Sequence, residues 1–406
     1  MARQSVTPEL LRAWWAHKQG LLEPLAGNSS AAVLARAGWA RSVAGACPYL
    51  TLHARAGLSR EAVDAAVAAL EIHELPAARS CTYVLPASDY PLALTLAAAA
   101  GDGEMKLALK LGVTPKEVDA LCDAVLLALK NGPAEPDRIR ATVGPKARSL
   151  GADGRRKGLA STLPLALDRL QLSGHIRRLP TNGRLDQQRY RYTLWRPNPL
   201  HSCKLSREEA YAALARLYFQ WIGPATPTEF QWFSGLGVKT SADALAALGL
   251  VPLEPGSERL LFPHDLDALH SFKSPKDPVY RLISSLDSLV LLRRDHRSLL
   301  DPADLDRSLQ LAHGPASLSS LSDLPCHAIL DRGRIIGLWE YDPASESIAC
   351  FGFIQRNSYL DAAVKNTEEY VRTQLGDARS FSLDSPKSRQ PRLAALRQAA
   401  GSEHCC

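Results

Sequence analysis

The feature that most constrains the fold is a recurring order of elements, three helical segments followed by two strand-like segments. In the first occurrence, helices predicted over 8–19 and 31–43 precede a helix capped by Ser59. Strand-like residues follow over 81–85, between two prolines. Three helices followed by a strand pair is the order of a winged helix-turn-helix.

The same order of elements occurs twice more along the chain. In the second occurrence, helices are predicted over 114–130, 136–143 and 161–173, and two strand-like runs surround an Asn182–Gly183 turn. The third consists of a helix beginning after Ser206, helices over 226–234 and 239–248, and a hairpin over 250–263. Beyond about Tyr280 the sequence is β-rich. The repeat is therefore one of architecture, not of sequence.

The composition is that of a globular protein, and it excludes several other classes. A chain of 406 residues is too long for one core and predicts two to four units. Its longest apolar runs fall short of a membrane span, and the amino terminus has no leader pattern. The eight cysteines form no CxxC pair and no metal-ligand spacing, and phosphate-cradling glycine loops are absent. We expect no metal, no nucleotide cofactor and no membrane partner.

Positive charge is concentrated in one part of the chain. From Arg138 to Arg196 there are fourteen Lys and Arg residues and three Asp residues, a net charge of +11 in a chain that totals +6. Phosphate binding needs such concentration, because each paired cation releases condensed counterions. Arginine and tyrosine alternate over 189–192, so one face of that strand can pack while the other offers guanidinium groups.

This basic segment predicts binding to duplex DNA. The residues predicted to contact DNA are Arg155, Arg156, Lys157, Arg169, Arg177, Arg178, Arg184, Arg189 and Arg191, together with Arg79 from the first occurrence of the repeat. One alternative is a solvated basic surface without a ligand, since arginine is frequent throughout the chain. RNA is a weaker alternative, because no aromatic RNA-recognition signature is present.

Several segments, taken in their order and spacing, form a recognisable pattern over most of residues 8–355. They are LLRAWWAHKQGL (10–21), LTLHAR (50–55), ARSCTYVLPASDY (78–90), YFQWIGPATPTEFQWFSGLGV (218–238), YRLISSLDSLVLLRRDHRSLLDP (280–302) and ILDRGRIIGLW (329–339). In this order they resemble the AlkZ/YcaQ-type family of winged-helix DNA glycosylases, which act on alkylated purines and interstrand crosslinks.

The resemblance implies hydrolysis of the N-glycosidic bond of an N7-alkylated purine. Because the cationic base leaves readily, such an enzyme mainly positions a water and stabilises an oxocarbenium-like sugar. The family does this with a Gln-X-Gln or Gln-X-Asp pair. Aligned on LTLHAR, those positions are Arg41, Ser42 and Val43, so neither glutamine is present. Valine cannot hold a water, and arginine opposes a cationic base.

The remaining candidate acceptors are Ser42 and Asp287. They leave two main hypotheses open: a DNA-repair glycosylase with relocated catalytic groups, and a non-enzymatic DNA-binding regulator or lesion sensor. In a third, the winged helices contact other proteins. A structural role is favoured for Arg55, and internal salt bridges are expected for Asp287 and Asp295. The aromatic residues over 218–233 are expected to form core.

Motif order and resemblance together predict an α+β fold of tandem winged helix-turn-helix units with a small C-terminal β-barrel. The predicted segments are a first winged helix over 1–100, a second, basic one over 101–200, a third over 201–278, a β-rich barrel-like domain over 279–375 and a polar tail over 376–406. We expect a monomer that binds double-stranded DNA in the bacterial cytoplasm, associated with the nucleoid.

Overall fold

The computed structural model describes residues 6–25, 27–100, 103–187, 189–201, 203–311 and 314–402. It is 50% helical and 16% strand, so the predicted mixture of helices and strands is confirmed. Two compact units are present. The first unit consists of Met1–His73, Tyr83–Ala87 and Ala212–Cys406, and the second unit of Glu74–Thr82 and Ser88–Tyr211. The finer division into five segments stays a prediction.

The helices and strands alternate along the chain. The helices are α1 Pro8–Lys18, α2 Ser30–Ala37, α3 Cys47–Ala56, α4 Arg60–Ala68, α5 Tyr90–Ala99, α6 Gly103–Lys110, α7 Pro115–Ala128, α8 Pro136–Val143, α9 Gly151–Arg156, α10 Leu163–Leu172, α11 Arg207–Ile222, α12 Pro227–Ser234, α13 Val238–Ala246, α14 Pro263–Ser271, α15 Ser288–Leu291, α16 Ser358–Tyr370 and α17 Pro386–Ser402. The strands are β1 Ala40–Arg41, β2 Ile72–Pro76, β3 Thr82–Pro86, β4 Ile176–Pro180, β5 Tyr190–Leu194, β6 Val251–Pro252, β7 Leu260–Leu261, β8 Tyr280–Ile283, β9 Ser308–Leu311, β10 Gly314–Ser317, β11 His327–Asp331, β12 Arg334–Asp342 and β13 Ser347–Gly352.

Local capping explains where several helices begin. Ser59 accepts a hydrogen bond from the Ala62 amide at 3.2 Å, as its position before α4 predicts. Thr114 caps α7 through the Glu117 amide at 3.2 Å. At α12, Thr226 and Glu229 form a reciprocal capping box. Each cap satisfies amides that the first helical turn leaves without a partner.

The second unit contains the basic segment and has a core of its own. Helices α7, α8 and α10 bury aliphatic side chains such as Leu121, Ile139 and Leu170. Strands β4 and β5 form an antiparallel pair. The pair joins the helices through reciprocal hydrogen bonds between the backbones of Ala134 and Tyr192, at 3.0 and 2.8 Å. The basic strands are therefore fixed on a helical support.

The largest sheet of the first unit is open. Its strand order is β13-β12-β11-β8, and β13 and β8 each have one strand partner in the described ranges. Helix α16 packs on β8, and α17 packs on β12 and β13. The predicted closed barrel is not found among the described residues. Four strands are too few to close a barrel, and this sheet is covered by helices instead.

The segment predicted as a polar tail contributes to this cover. Helix α17 buries Leu393 and Leu396 completely. Its Arg389 is also fully buried and forms an ion pair with Asp377 at 2.8 Å. Residues 403–406 lie outside the described ranges. The described part of the tail therefore belongs to the packed unit.

His327 joins the sheet to the chain that follows α16. Its Nδ1 accepts a hydrogen bond from the Ser285 amide at 2.9 Å, and its Nε2 lies 2.6 Å from the Ala378 carbonyl oxygen. An amide can only donate and a carbonyl can only accept, so the ring is neutral with the proton on Nε2. Burial lowers the pKa of His327 to about 4, and Arg389 and Arg392 act in the same direction.

We expect protonation of His327 to destabilise the protein in mild acid. Because the pKa of His327 is lower in the folded chain than in the unfolded chain, its neutral ring contributes fully to the free energy of unfolding above pH 6.5. As the pH falls to about 4, the free energy of unfolding decreases by up to about 3 kcal/mol. Urea unfolding of wild type and His327→Gln at pH 7, 5 and 4 measures this effect. An equally steep pH dependence in the variant would contradict it.

Candidate nucleic-acid interface

The predicted position of the catalytic motif, Arg41 to Val43, lies at the end of strand β1. Arg41 is paired across the sheet with Tyr83 of β3. Its guanidinium carbon lies 5.4 Å from the centre of the Tyr83 ring, within the range of a cation–π interaction. Ser42 is only 2% exposed, whereas Val43 is half-buried. The motif position thus offers a stacked arginine, a buried hydroxyl and an apolar side chain.

A segment from near the carboxyl terminus covers the backbone next to this motif. The Ala46 amide donates to the Arg379 carbonyl at 2.8 Å, and the Ser382 amide donates to the Val43 carbonyl at 3.1 Å. A Cβ at Gly45 would lie 2.1 Å from the Ser380 carbonyl oxygen, so only glycine allows this approach. The segment after Val43 is therefore fixed by backbone contacts and is not open to a substrate.

Asp287, the other candidate acceptor, is engaged in a buried ion pair. Its two carboxylate oxygens lie 2.7 and 2.8 Å from the guanidinium nitrogens of Arg55. Both side chains are 0% exposed. Asp287 also accepts from the Leu289 amide at 2.9 Å and so caps α15. These contacts occupy the carboxylate, and the structural role favoured for Arg55 is confirmed.

Further predictions about the core also agree with the geometry. Tyr218, Phe219, Trp221, Phe230 and Phe233 are at most 3% exposed, so these aromatic residues are core, as predicted. Trp232 is half-buried, with Arg294 4.9 Å from its ring centre. Asp295 forms the expected salt bridge, to Arg293 at 3.1 Å. These residues are not exposed as a base-stacking platform.

The cations predicted to bind DNA fall into two groups in the second unit. Arg156, Arg169 and Arg184 form ion pairs with Asp153, Asp119 and Asp186. Arg178 lies over the Tyr190 ring at 5.1 Å, Arg191 is half-buried, and burial lowers the pKa of the half-buried Arg177. The second group is exposed and, in the described ranges, has no ion-pair partner; it consists of Arg155, Lys157 and Arg189.

Three more residues have the properties of the second group. Arg138, Lys146 and Arg196 are exposed and form neither an ion pair nor a side-chain hydrogen bond with any described residue, whereas the exposed Arg140 donates to the Ser161 hydroxyl at 3.3 Å. They belong to the same basic segment, but charge density alone does not separate paired cations from unpaired ones. We call the six residues of this kind the free cations: Arg138, Lys146, Arg155, Lys157, Arg189 and Arg196.

Arg79 lies at the tip of the hairpin between β2 and β3. The turn is closed by a hydrogen bond from the Cys81 amide to the Ala78 carbonyl at 3.0 Å. Arg79 and Ser80 have φ angles of 58° and 53°, and both are exposed. The left-handed region costs a non-glycine residue about 1–2 kcal/mol. The hairpin thus holds an exposed arginine in a strained turn.

The described ranges contain neither a metal-binding cluster nor a membrane-spanning helix. Among those residues, no group of three or more His, Cys, Asp or Glu side chains is arranged to hold a metal ion. No helix there combines the length and the apolarity needed to cross a bilayer.

The match to a family model assigns the chain to a class of proteins related to DNA glycosylases. The model of the DNA glycosylase AlkZ-like family matches residues 42–349, and the chain belongs to that family. A solved structure with a similar fold is that of Streptomyces sahachiroi DNA glycosylase AlkZ, with a TM-score of 0.68. The sequence of that protein is 21% identical to the sequence of this chain, and the structural similarity covers 93% of this chain and 99% of that one. None of the curated proteins matches.

Proposed function

We propose that this protein is a duplex DNA-binding member of the AlkZ-like family that does not excise bases. Its role is then that of a lesion sensor or regulator related to the DNA-repair glycosylases. The main support for DNA binding is the set of six free cations in the basic segment 138–196, whose other cations are ion-paired, hydrogen-bonded or half-buried. Cations without an internal partner are available to neutralise phosphates.

The motif position supports the second half of the proposal. Excision needs an acceptor that orients a water beside the sugar. Ser42 is buried, Asp287 is ion-paired, and Arg41 is a cation stacked on Tyr83. None of the three is an exposed acceptor. A cation at Arg41 would also oppose the positive charge that develops on the sugar.

The finer architecture belongs to the same proposal. Helices α7, α8 and α10 followed by β4 and β5 have the order of a winged helix. The elements α2, α3, α4, β2 and β3, with the short β1 between α2 and α3, and later α11, α12, α13, β6 and β7, follow the same order. We infer three winged helices, of which the second is the basic one. A monomer acting in the bacterial cytoplasm fits this reading.

An assay on alkylated DNA tests the proposal. We expect the full chain to bind a methylated duplex but to release no N7-methylguanine above the spontaneous rate, because none of Arg41, Ser42 and Asp287 is an exposed acceptor. Release is measured by chromatography of the free base, with an active family member as the control. Enzyme-dependent release would contradict the proposal and favour a glycosylase with relocated catalytic groups. Absence of any duplex binding would contradict it as well.

A further inference from the structure

In the second unit, the helix in the position of a recognition helix is covered. Helix α10 packs against both α7 and α5. Its buried residues are Leu163, Leu165, Ala166, Leu167, Leu170 and Gln171. Asp168 and Arg169 are its exposed charged residues, and Arg169 pairs with Asp119 at 2.8 Å. An acid and a paired cation on a covered helix do not suit insertion into a major groove.

The chain between α8 and α10 is much longer than the turn of an ordinary helix-turn-helix. Most of it, residues 148–162, forms a closed loop, which we call the α9 loop. The Leu150 amide donates to the Ala160 carbonyl, and the Thr162 amide donates to the Arg148 carbonyl, both at 3.0 Å. These two bonds join the ends of the loop. The short helix α9 lies within the loop that these bonds close.

The α9 loop is anchored to the core and packed tightly. Leu150 and Leu159 are 8% and 4% exposed and belong to the hydrophobic core of the second unit. The Leu159 amide donates to the Gly154 carbonyl at 2.8 Å. A Cβ at Gly154 would lie 2.4 Å from the Leu159 carbonyl oxygen. Since only glycine fits there, the loop has a defined shape before any ligand binds.

Consecutive cations extend from this rigid support. Arg155, Arg156 and Lys157 are all exposed at the end of α9. Arg156 pairs with Asp153, whereas Arg155 and Lys157 are free cations as defined above. A rigid loop that carries unpaired cations loses little conformational entropy when it binds a polyanion. It also carries no Asn or Gln side chain, the residues that typically read adenine edges.

We propose that the α9 loop takes the place of the recognition helix and binds the phosphates of duplex DNA, so that the second unit grips DNA without reading its sequence. This inference rests on the proposed function, duplex binding, and specifies which surface makes the contact. Phosphate contacts position a protein on DNA but carry no base information. The strand pair β4–β5, with the free cation Arg189 beside it, adds a second set of contacts.

A comparison of two sets of variants in the full chain tests the loop. Affinity is measured by fluorescence anisotropy at 100 mM salt on three 24-base-pair duplexes of different sequence. We expect Arg155→Ala/Lys157→Ala to weaken binding to all three duplexes by about tenfold or more and to reduce the salt slope by about two. Arg169→Ala is the matched control on α10, and it is expected to change affinity less than about twofold.

Each other outcome overturns the inference in a distinguishable way. Wild-type affinity in the double variant, with duplex binding intact, would reject the loop and leave the proposed function standing. A preference of more than about tenfold among the three duplexes would reject sequence-independent binding. Tighter binding to single-stranded RNA of the same length would reject the duplex as the partner. Absence of duplex binding by wild type would reject both the loop and the proposed function.

Discussion

Replacing Asp287 by alanine is expected to lower the free energy of unfolding by about 3–5 kcal/mol. The substitution leaves the Arg55 guanidinium at 0% exposure without the carboxylate that now contacts it at 2.7 and 2.8 Å. It also removes the cap of α15. Removal of one partner from a buried pair is costly because the remaining charge has neither water nor a counter-ion.

Urea unfolding followed by tryptophan fluorescence measures this loss in the correct unit. Six of the seven tryptophans lie in the first unit, which contains the ion pair. Glu369→Ala is a suitable control in the same unit, because it breaks an exposed pair with Arg372 and is expected to cost less than about 1 kcal/mol. A comparable loss in the two variants would show that Arg55–Asp287 contributes no more than a surface pair.

The same measurement tests whether the uncompensated charge accounts for the loss of stability. Replacing both partners with apolar residues, as in Arg55→Met/Asp287→Leu, removes the unpaired charge, and such replacements are often neutral or stabilising. We expect the double variant to recover at least half of the stability that Asp287→Ala loses. A double variant less stable than Asp287→Ala would contradict this account, in which the uncompensated charge carries the cost.

The parts of the fold that depend on neighbouring residues could be predicted from the sequence. Helix α8 occupies the predicted residues 136–143, and α4 begins after the predicted cap Ser59. Strand β5 lies where arginine and tyrosine alternate. Caps and side-chain periodicity act within one or two turns of the chain, so the sequence alone carries these signals.

The parts that depend on distant partners could not be predicted in the same way. Arg55 and Asp287 are 232 positions apart, and no local pattern joins them. Helix α9 was missed because GADGRR is short and contains two glycines. Arg169 was predicted to bind DNA, but Asp119, from another helix, pairs with it. Only the folded chain shows which cations remain unpaired.

The open sheet has a similar explanation. The strands of the β-rich region were predicted from their composition, but closure into a barrel came from the family resemblance alone. Whether a sheet closes depends on what covers its faces and edges. Here α17, formed by a segment rich in polar residues, supplies part of that cover through Leu393 and Leu396. Two buried leucines in a polar segment are a weak signal.

The affinity for duplex DNA is expected to fall by about three orders of magnitude when salt rises from 50 to 200 mM. If each of the six free cations neutralises one phosphate, the slope of log K against log salt is about −5. A fourfold rise in salt then lowers the association constant by about 10³. Anisotropy titrations of the full chain at four salt concentrations measure this slope.

The slope distinguishes between the two groups of cations in the basic segment. If all fourteen Lys and Arg residues of 138–196 contacted phosphates, the slope would approach about −13. A value near −5 instead matches the free cations, because those paired with Asp or Glu are already neutralised within the protein. Arg184→Ala is a matched control for a paired cation, since Asp186 holds that guanidinium, and it is expected to leave the slope unchanged. A slope shallower than about −2 would mean that the basic surface is not a DNA interface, whatever the fold resembles.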